Sequence, residues 1–152
     1  YVGFARSHLG NEDESAINKA KRYQLPDSLE HDRLYLEGTW ICRREYAQPS
    51  GADTAQLVID YQAKEVNLVI HPLEGVVTRV EVRQDGHPVA KADRGEDLRE
   101  DATGATYLEV TTPRMYRITN NGDFGRHSLV LASNSPHFGA YAFTFTTACK
   151  KD

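Results

Sequence analysis

Aromatic and basic side chains that could bind a sugar are the first candidates for chemistry in this sequence. Trp40 is the single tryptophan, and Arg114 and Tyr116 lie two positions apart in a predicted strand. An exposed ring stacks on the apolar face of a sugar, while neighbouring polar groups bind its hydroxyls. We therefore take these three residues as one candidate ligand site. The alternative, that Trp40 is a core residue, stays open because a lone tryptophan in an early strand is more often buried.

The six histidines add two weaker candidates. None forms an H-x-H or H-x-x-x-H pair with a carboxylate at ligand spacing, so we expect no histidine metal site. His71 and His137 each lie beside a proline at the end of a predicted strand. Loop residues at the rim of a sandwich often carry binding functions, so both join the candidate ligand site. Solvated turn histidines are the alternative.

A loop rich in carboxylates, residues 91–103, is a candidate for binding a cation. Its acidic residues are Asp93, Glu96, Asp97, Glu100 and Asp101. Asp93, Asp97 and Asp101 are candidate ligands of a structural calcium ion, because hard cations prefer carboxylate oxygens. The spacing does not match an EF-hand, and a solvated charged loop is the alternative. We expect no other cofactor.

The two cysteines, Cys42 and Cys149, lie far apart in the sequence. Without a C-x-x-C motif, neither a thiol-disulfide active site nor a zinc ribbon is predicted. A single disulfide between an early strand and the end of the last one is one interpretation, and it requires an oxidising compartment. Two buried or unpaired thiols are the other.

Motifs for enzymatic catalysis are missing from the sequence. It contains no G-x-S-x-G, no P-loop and no dinucleotide fingerprint, and its serines lack a triad context. We therefore predict a non-catalytic domain. Two carboxylates on opposite sides of a sugar would suffice for glycoside hydrolysis, so an independent hydrolase stays as an alternative hypothesis.

Charge and hydropathy exclude two classes of partner. The net charge is −4, with acidic and basic residues interspersed, so no basic stripe is available for nucleic acid. The longest apolar runs are a few residues, far below the roughly 20 that span a bilayer, so we expect no membrane insertion. The chain starts without methionine or a signal peptide, which suggests a fragment of a larger protein.

The elements that must position these residues are mostly strands. Residues 1–32 are polar and predict an N-terminal arm or linker with at most one short helix, for which 16–23 is the candidate, whereas residues 33–152 predict one β-domain. Turn signals separate short β-rich runs there, including a hairpin at Asp85-Gly86. This pattern predicts an all-β, antiparallel, jelly-roll-like β-sandwich, with an open barrel as the competitor. The predicted strands cover residues 34–46, 57–61, 66–70, 76–83, a short hairpin partner from His87, 107–119 with an interruption at Pro113, 128–132 and 141–145.

Three further details complete the prediction of the strands. Residues 57–61 and 66–70 read as two strands joined at Gln62-Ala63-Lys64, and Asn120-Asn121-Gly122-Asp123 reads as a turn. The closing run alternates Tyr141, Phe143 and Phe145 with small residues, which predicts three aromatics on one buried face.

Six short motifs occur in an order that resembles one known family. They are Tyr1-Val-Gly-Phe-Ala-Arg6, Leu36-Glu-Gly-Thr-Trp40, Ala63-Lys-Glu-Val-Asn-Leu-Val69, Asp85-Gly86, Pro113-Arg-Met-Tyr-Arg-Ile118 and Ala140-Tyr-Ala-Phe-Thr-Phe145. In this order they resemble the C-terminal domain that follows the thioredoxin-like domain of DipZ-type and related bacterial redoxin proteins. The resemblance covers nearly the whole chain.

The resemblance implies a jelly roll similar to carbohydrate-binding modules. It implies a covalently preceding thioredoxin-like domain in an extracytoplasmic location, the periplasm or cell surface, and in some members a membrane-embedded domain of the CcdA kind. The redox motif would lie upstream of this chain. Two hypotheses follow for its role: it binds carbohydrate or cell-wall material, or it is a structural or protein-interaction module that positions the redox domain against protein substrates.

Overall fold

The structure is a computed structural model, and it describes residues 1–6, 9–51 and 53–146. This part of the chain folds as an all-β sandwich of ten strands, with three short 3-10 turns at Glu14–Ala16, Leu73–Gly75 and Lys91–Asp93. No helix in the described ranges is long and apolar enough to cross a membrane. The strands are β1 Ala20–Tyr23, β2 Leu34–Cys42, β3 Ala47–Pro49, β4 Ala55–Pro72, β5 Thr78–Gln84, β6 His87–Pro88, β7 Arg99–Glu100, β8 Thr106–Val110, β9 Arg114–Ser133 and β10 Phe138–Thr146.

Two long strands, β4 and β9, run through both layers of the sandwich. Residues 55–63 of β4 pair with the start of β2 and with the second half of β9, which in turn pairs with β5. The strand β8 follows β5 and completes this first layer with the short β7. Residues 65–72 of β4 pair with β10 and with the first half of β9, and the second layer continues through β3 and the end of β2 to β1.

The change of layer occurs at irregular positions in the strands. The register between β4 and β9 shifts between Ala63 and Glu65, where a bulge bends both strands. In β2 the bend falls at Gly38, whose φ of 88° is costly for any residue with a Cβ atom. The two predicted strands 57–61 and 66–70 are therefore one continuous strand, and the expected turn at residues 62–64 is wrong.

The core lies between the two layers and is built from alternating apolar residues. In β4, Leu57, Ile59 and Leu68 are at most 3% exposed, and Leu129 and Leu131 of β9 pack into the same cluster. On the first half of β4, alternation puts Gln56, Asp60 and Gln62 on the outer face. Full burial of one leucine side chain contributes about 2 kcal/mol, so this cluster dominates the stability of the fold.

A buried polar network explains why the predicted turn at residues 120–123 is wrong. The Tyr61 hydroxyl donates to Gln84 Oε1 (2.5 Å), Gln84 Nε2 donates to Asn121 Oδ1 (2.7 Å), and Asn121 Nδ2 donates to the Tyr61 oxygen (2.9 Å). Asn121 is 1% exposed and lies in the middle of β9. Because its amide is satisfied in the core, the chain continues as a strand where its composition favours a turn.

The N-terminal arm is docked on the sandwich. Val2, Leu9 and Tyr23 are at most 4% exposed and belong to the core cluster. The helix predicted at 16–23 is wrong, because β1 occupies residues 20–23 and pairs with β2, and only a 3-10 turn precedes it. The division of the chain at residue 32 stays a prediction.

The closing strand β10 carries its aromatics on two faces. Its register shifts between Ala140 and Ala142, so Tyr141 sits in a bulge. Phe143 and Phe145 lie opposite Leu68 and Val66 on the core side, while Tyr141 points to the outer face. Phe145 is 41% exposed at the end of the sandwich. The expectation of three aromatics on one buried face is therefore wrong, because a bulge reverses the alternation.

Candidate functional site

Trp40 lies in the core and has no exposed ring to offer to a ligand. Its side chain is 0% exposed, its ring packs edge-on against Phe138 at a centroid distance of 6.1 Å, and its Nε1 donates to the Glu37 carbonyl oxygen at 2.9 Å. A sugar needs a free ring face for stacking. This placement corrects the interpretation of Trp40 as a stacking platform.

Arg114 and Tyr116 are brought together, but as a structural clamp. The Arg114 guanidinium lies 3.9 Å from the centre of the Tyr116 ring and donates two hydrogen bonds of 3.0 and 2.8 Å to Asp97. Tyr116 is 1% exposed, and its hydroxyl donates to the Thr112 carbonyl oxygen at 2.7 Å. The guanidinium holds the pKa of the Asp97 carboxyl below its usual range. The two side chains therefore contact each other, and Arg114 is also bound to the acidic loop at residues 91–103.

The three calcium candidates bind protein groups. Asp93 accepts from the Gly122 amide at 3.1 Å, Asp97 is bound by Arg114, and Asp101 accepts from the amide of Thr103 at 2.8 Å. Across the described ranges, no three His, Cys, Asp or Glu residues converge as a metal site. The three carboxylates cap turns or pair with arginines, and calcium binding by them stays a prediction.

His71 takes part in a surface feature that we name the aromatic stack, formed by Tyr46, Tyr141 and His71. The Tyr141 ring lies 4.9 Å from Tyr46 and 4.0 Å from His71, with interplanar angles of 26° and 27°. The three rings stand on the outer face of neighbouring chain segments, whose spacing of about 4.8 Å matches ring stacking. Tyr141 is covered on both faces, and burial raises its pKa. The central ring of the stack therefore has no free face for a ligand.

His137 lies apart from the aromatic stack, just before β10. Its Nδ1 is 3.9 Å from a carboxylate oxygen of the exposed Glu74, and its backbone amide donates to the Ser135 hydroxyl at 3.2 Å. A contact at 3.9 Å between partly exposed groups is weak. The five candidate ligand residues, Trp40, Arg114, Tyr116, His71 and His137, therefore do not form one site.

A different region, which we name the polar hollow, has the properties of a binding site. It is an open depression of about 680 Å³ where β1, the bend of β2 and the start of β4 meet. Gly38, Tyr23 and Leu25 contribute to its wall. Seven polar side chains line it: Arg22, Gln24, Glu37, Thr39, Asp53, Thr54 and Gln56.

The polar side chains of the hollow are uncommitted. Within the described residues, none of the seven makes a side-chain hydrogen bond or ion pair. Elsewhere on the surface most charged side chains are paired, as Arg126 is with Asp60 at 3.0 Å and Arg79 with Asp101. Groups that face one depression and have no protein partner are free to bind a ligand.

The hollow was missed at the level of sequence because its residues come from three distant segments. Glu37 and Gln56 are directly paired across β2 and β4, and Arg22 lies on the edge strand β1. Alternation in the sequence predicts that Glu37 and Gln56 face outward. It does not place Arg22 beside them, because the sequence favours a helix over the residues that form β1. The outward polar positions of β2 and β4 were the available signal.

A comparison of the sequence with models of known protein families identifies the family of this chain. The model of the thioredoxin-like C-terminal domain matches residues 1–146. The chain belongs to this family. A search of curated proteins gives no match. As a thioredoxin-like C-terminal domain, the chain is an accessory domain of a thioredoxin-like protein, and the family implies a preceding thioredoxin-like domain. The resemblance of the six motifs to the C-terminal domain of thioredoxin-like proteins is confirmed.

Cys42 does not give this thioredoxin-like C-terminal domain an accessible thiol. It is 5% exposed at the end of β2, with its sulfur 3.4 Å from the Tyr23 hydroxyl. Burial raises the pKa of the thiol, which keeps it protonated and weakly reactive at neutral pH. Cys149, its predicted partner, lies outside the described residues, so the disulfide stays a prediction.

Proposed function

We propose that this domain is a non-catalytic accessory module that binds carbohydrate or cell-wall material through the polar hollow. The observation that carries the proposal is the convergence of seven uncommitted polar side chains on one open depression. The proposed role is to hold the thioredoxin-like protein near glycan outside the cytoplasm, in the periplasm or at the cell surface.

The chemistry of the hollow suits a ligand rich in hydroxyl groups. Each sugar hydroxyl both donates and accepts, and the hollow supplies both kinds of partner: amides from Gln24 and Gln56, hydroxyls from Thr39 and Thr54, and carboxylates. Its volume of about 680 Å³ falls within the roughly 300–1,000 Å³ typical of small-molecule sites. A ligand with many hydroxyls can satisfy these groups together.

The charge of the hollow favours a neutral sugar. Arg22 contributes one positive charge, and Glu37 and Asp53 contribute two negative charges. Mixed signs in one depression give no net attraction for a polyanion such as nucleic acid. Neutral hydroxyls, in contrast, accept hydrogen bonds from a guanidinium and donate hydrogen bonds to a carboxylate, and both kinds are charge-assisted.

Binding is better supported than hydrolysis, although Glu37 and Asp53 both face the hollow. A glycosidase acid is held in an apolar environment that keeps it protonated, and its partner carboxylate faces it across the sugar. Here Asp53 is exposed and Glu37 is partly exposed on the open surface. Solvent access of this kind suits hydrogen bonding to a ligand and not general acid catalysis.

The test is binding of the purified domain to a glycan panel that includes peptidoglycan fragments. The double variant with Glu37→Gln and Gln56→Ala is expected to weaken binding by roughly 5- to 150-fold, since two lost or weakened hydrogen bonds cost about 1–3 kcal/mol. The matched control is Gln62→Ala, an exposed glutamine on the same strand outside the hollow. It should bind like wild type.

Two outcomes would contradict the proposal. Absence of binding across the panel would favour the alternative, a structural or protein-interaction module that positions the redox domain. Glycan binding that survives the double variant but is lost in a variant elsewhere would exclude the hollow as the site. Release of a shortened sugar would contradict the non-catalytic assignment.

A further inference from the structure

The polar hollow continues into two smaller depressions along the outer face of the first layer. One has a volume of about 230 Å³ and is lined by Thr54, Gln56, Glu81 and Arg83, with Ala132 and Val130 at its base. The other, of about 260 Å³, lies against Arg79, Ser133 and Asn134. All three depressions share Thr54, and two share Gln56. They therefore form one elongated surface trough.

The register of the sheet shows that the trough is straight. Glu37 of β2 is paired with Gln56 of β4, Gln56 is paired with Ala132 of β9, and Ala132 is paired with Glu81 of β5. Residues in register point to the same face of a sheet. Four strands at a spacing of about 4.8 Å give a row about 14 Å long that runs perpendicular to the strands.

Side-chain size gives the row its concave profile. Ala132 is the smallest side chain in the row and lies at its centre, between Gln56 and Glu81. The Arg83 guanidinium, paired with Glu81 at 3.2 Å, lies on one side of the row, and Asn134 lies on the other. A small residue between larger ones leaves a channel with polar side walls.

The row is closed at its far end. Beyond Glu81 the next residue in register is Tyr107 of β8, and the Arg79 guanidinium covers its ring at 4.0 Å from the centroid. Arg79 is itself fixed by an ion pair with Asp101. The accessible length of the trough is therefore the span from the polar hollow to Glu81.

We propose that the trough binds an unbranched oligosaccharide of about three sugar units, laid across the strands from the polar hollow to Glu81. This inference rests on the proposed function and specifies its ligand class: an extended internal stretch of a glycan chain rather than a single terminal sugar. A pyranose unit in an extended chain advances by roughly the strand spacing of about 5 Å, so each unit lies over one strand interval.

The experiment measures affinity against chain length by titration calorimetry. The probes are β-1,4-linked oligomers of N-acetylglucosamine and, as a second series, of glucose, each from one to six units. Affinity in at least one series should rise at least about tenfold from the monosaccharide to the trisaccharide. It should then level off, because a fourth unit has no further part of the trough to contact.

The blocking variant is Ala132→Leu, which fills the centre of the trough. It should remove the gain from the second and third units while leaving monosaccharide affinity within about twofold of wild type. The matched control is Ala142→Leu, a partly exposed alanine on β10 in the other layer, which should keep the full length dependence. Thermal unfolding of both variants checks that the fold is intact.

The outcomes separate this inference from the proposed function. If sugars bind but affinity does not depend on length, or if Ala132→Leu leaves the length dependence unchanged, the trough is wrong and the hollow alone binds the ligand. If neither oligomer series nor the wider panel binds, the proposed function itself is wrong, and the trough falls with it.

Discussion

The aromatic stack and the polar hollow are both surface features of the sandwich, but their side chains are used in opposite ways. In the stack, the Tyr141 ring lies between those of Tyr46 and His71 at centroid distances of 4.9 and 4.0 Å, so the neighbouring rings cover its faces. In the hollow, side chains such as Gln56 and Glu37 have no partner among the described residues. The comparison teaches that residue type alone does not mark a binding site, whereas free bonding capacity does.

The difference has an energetic consequence. Stacked aromatic pairs contribute about 0.5–1.5 kcal/mol each beyond the area that they bury. Hydrated polar side chains without protein partners contribute almost nothing to folding, because water satisfies them equally in the unfolded state. Substitutions in the stack should therefore change stability, while substitutions in the hollow should change binding.

The largest expected effect is that of Trp40→Ala, which tests whether Trp40 belongs to either surface region or to the core. The side chain is fully buried against Phe138, so we expect a loss of about 3–5 kcal/mol in the free energy of unfolding. Urea denaturation followed by circular dichroism measures it. A stable variant that has lost only glycan binding would return Trp40 to the ligand site.

The next effect concerns Gly38, in the wall of the polar hollow at the bend of β2. A Cβ atom there would lie 3.0 Å from the Ala55 Cα, and φ is 88°, so Gly38→Ala should cost about 2–4 kcal/mol in unfolding free energy. Gly104→Ala is the matched control, because φ is 85° but nothing lies within 4 Å. We expect about 1–2 kcal/mol there. Equal losses in the two variants would mean that close packing at the bend is unimportant.

A third, smaller effect separates the aromatic stack from binding. Tyr141→Ala removes the central ring and should lower the free energy of unfolding by about 1–3 kcal/mol, while glycan affinity stays unchanged. Tyr1→Ala, at a tyrosine that is 58% exposed, is the control and should have little effect on either. Loss of glycan binding in Tyr141→Ala at unchanged stability would place the ligand on the stack instead of in the hollow.

Much of the fold was predictable because local signals agree with tertiary structure. The alternation of Leu57, Ile59 and Tyr61 predicts the core face of β4 correctly. Asp85 and Gly86 have φ values of 54° and 80°, as the type I′ hairpin turn requires. The break at Pro113 is also confirmed, since it separates β8 from β9.

The errors arose where tertiary contacts override local preference. Residues 120–123 have turn composition, but the Asn121 amide finds its partners in the core and the strand continues. The bulge at Tyr141 cannot be read from an alternating pattern, because one additional residue reverses every later side chain. The candidate site was less predictable, since no local signal indicates that Arg22, Glu37 and Asp53 share one depression.

The smallest effect on stability is expected in the hollow itself, and a carboxylate elsewhere provides the contrast. The double variant with Glu37→Gln and Gln56→Ala should leave the free energy of unfolding within about 0.5 kcal/mol of wild type, because neither side chain has a protein partner to lose. Asp97→Asn should cost about 1 kcal/mol at neutral pH, since Asp97 is bound by the partly exposed Arg114.

The cost of Asp97→Asn should also depend on pH in a defined direction. Arg114 lowers the pKa of the folded carboxyl, so the folded state binds this proton less readily than the unfolded chain does. The contribution of Asp97 is therefore complete above its unfolded pKa of about 3.9 and is lost as the pH falls through the folded value. In urea unfolding, the free-energy difference between wild type and variant should begin to shrink as the pH falls below about 4 and disappear only below the folded pKa. A constant difference would show that the ion pair with Arg114 is not its source.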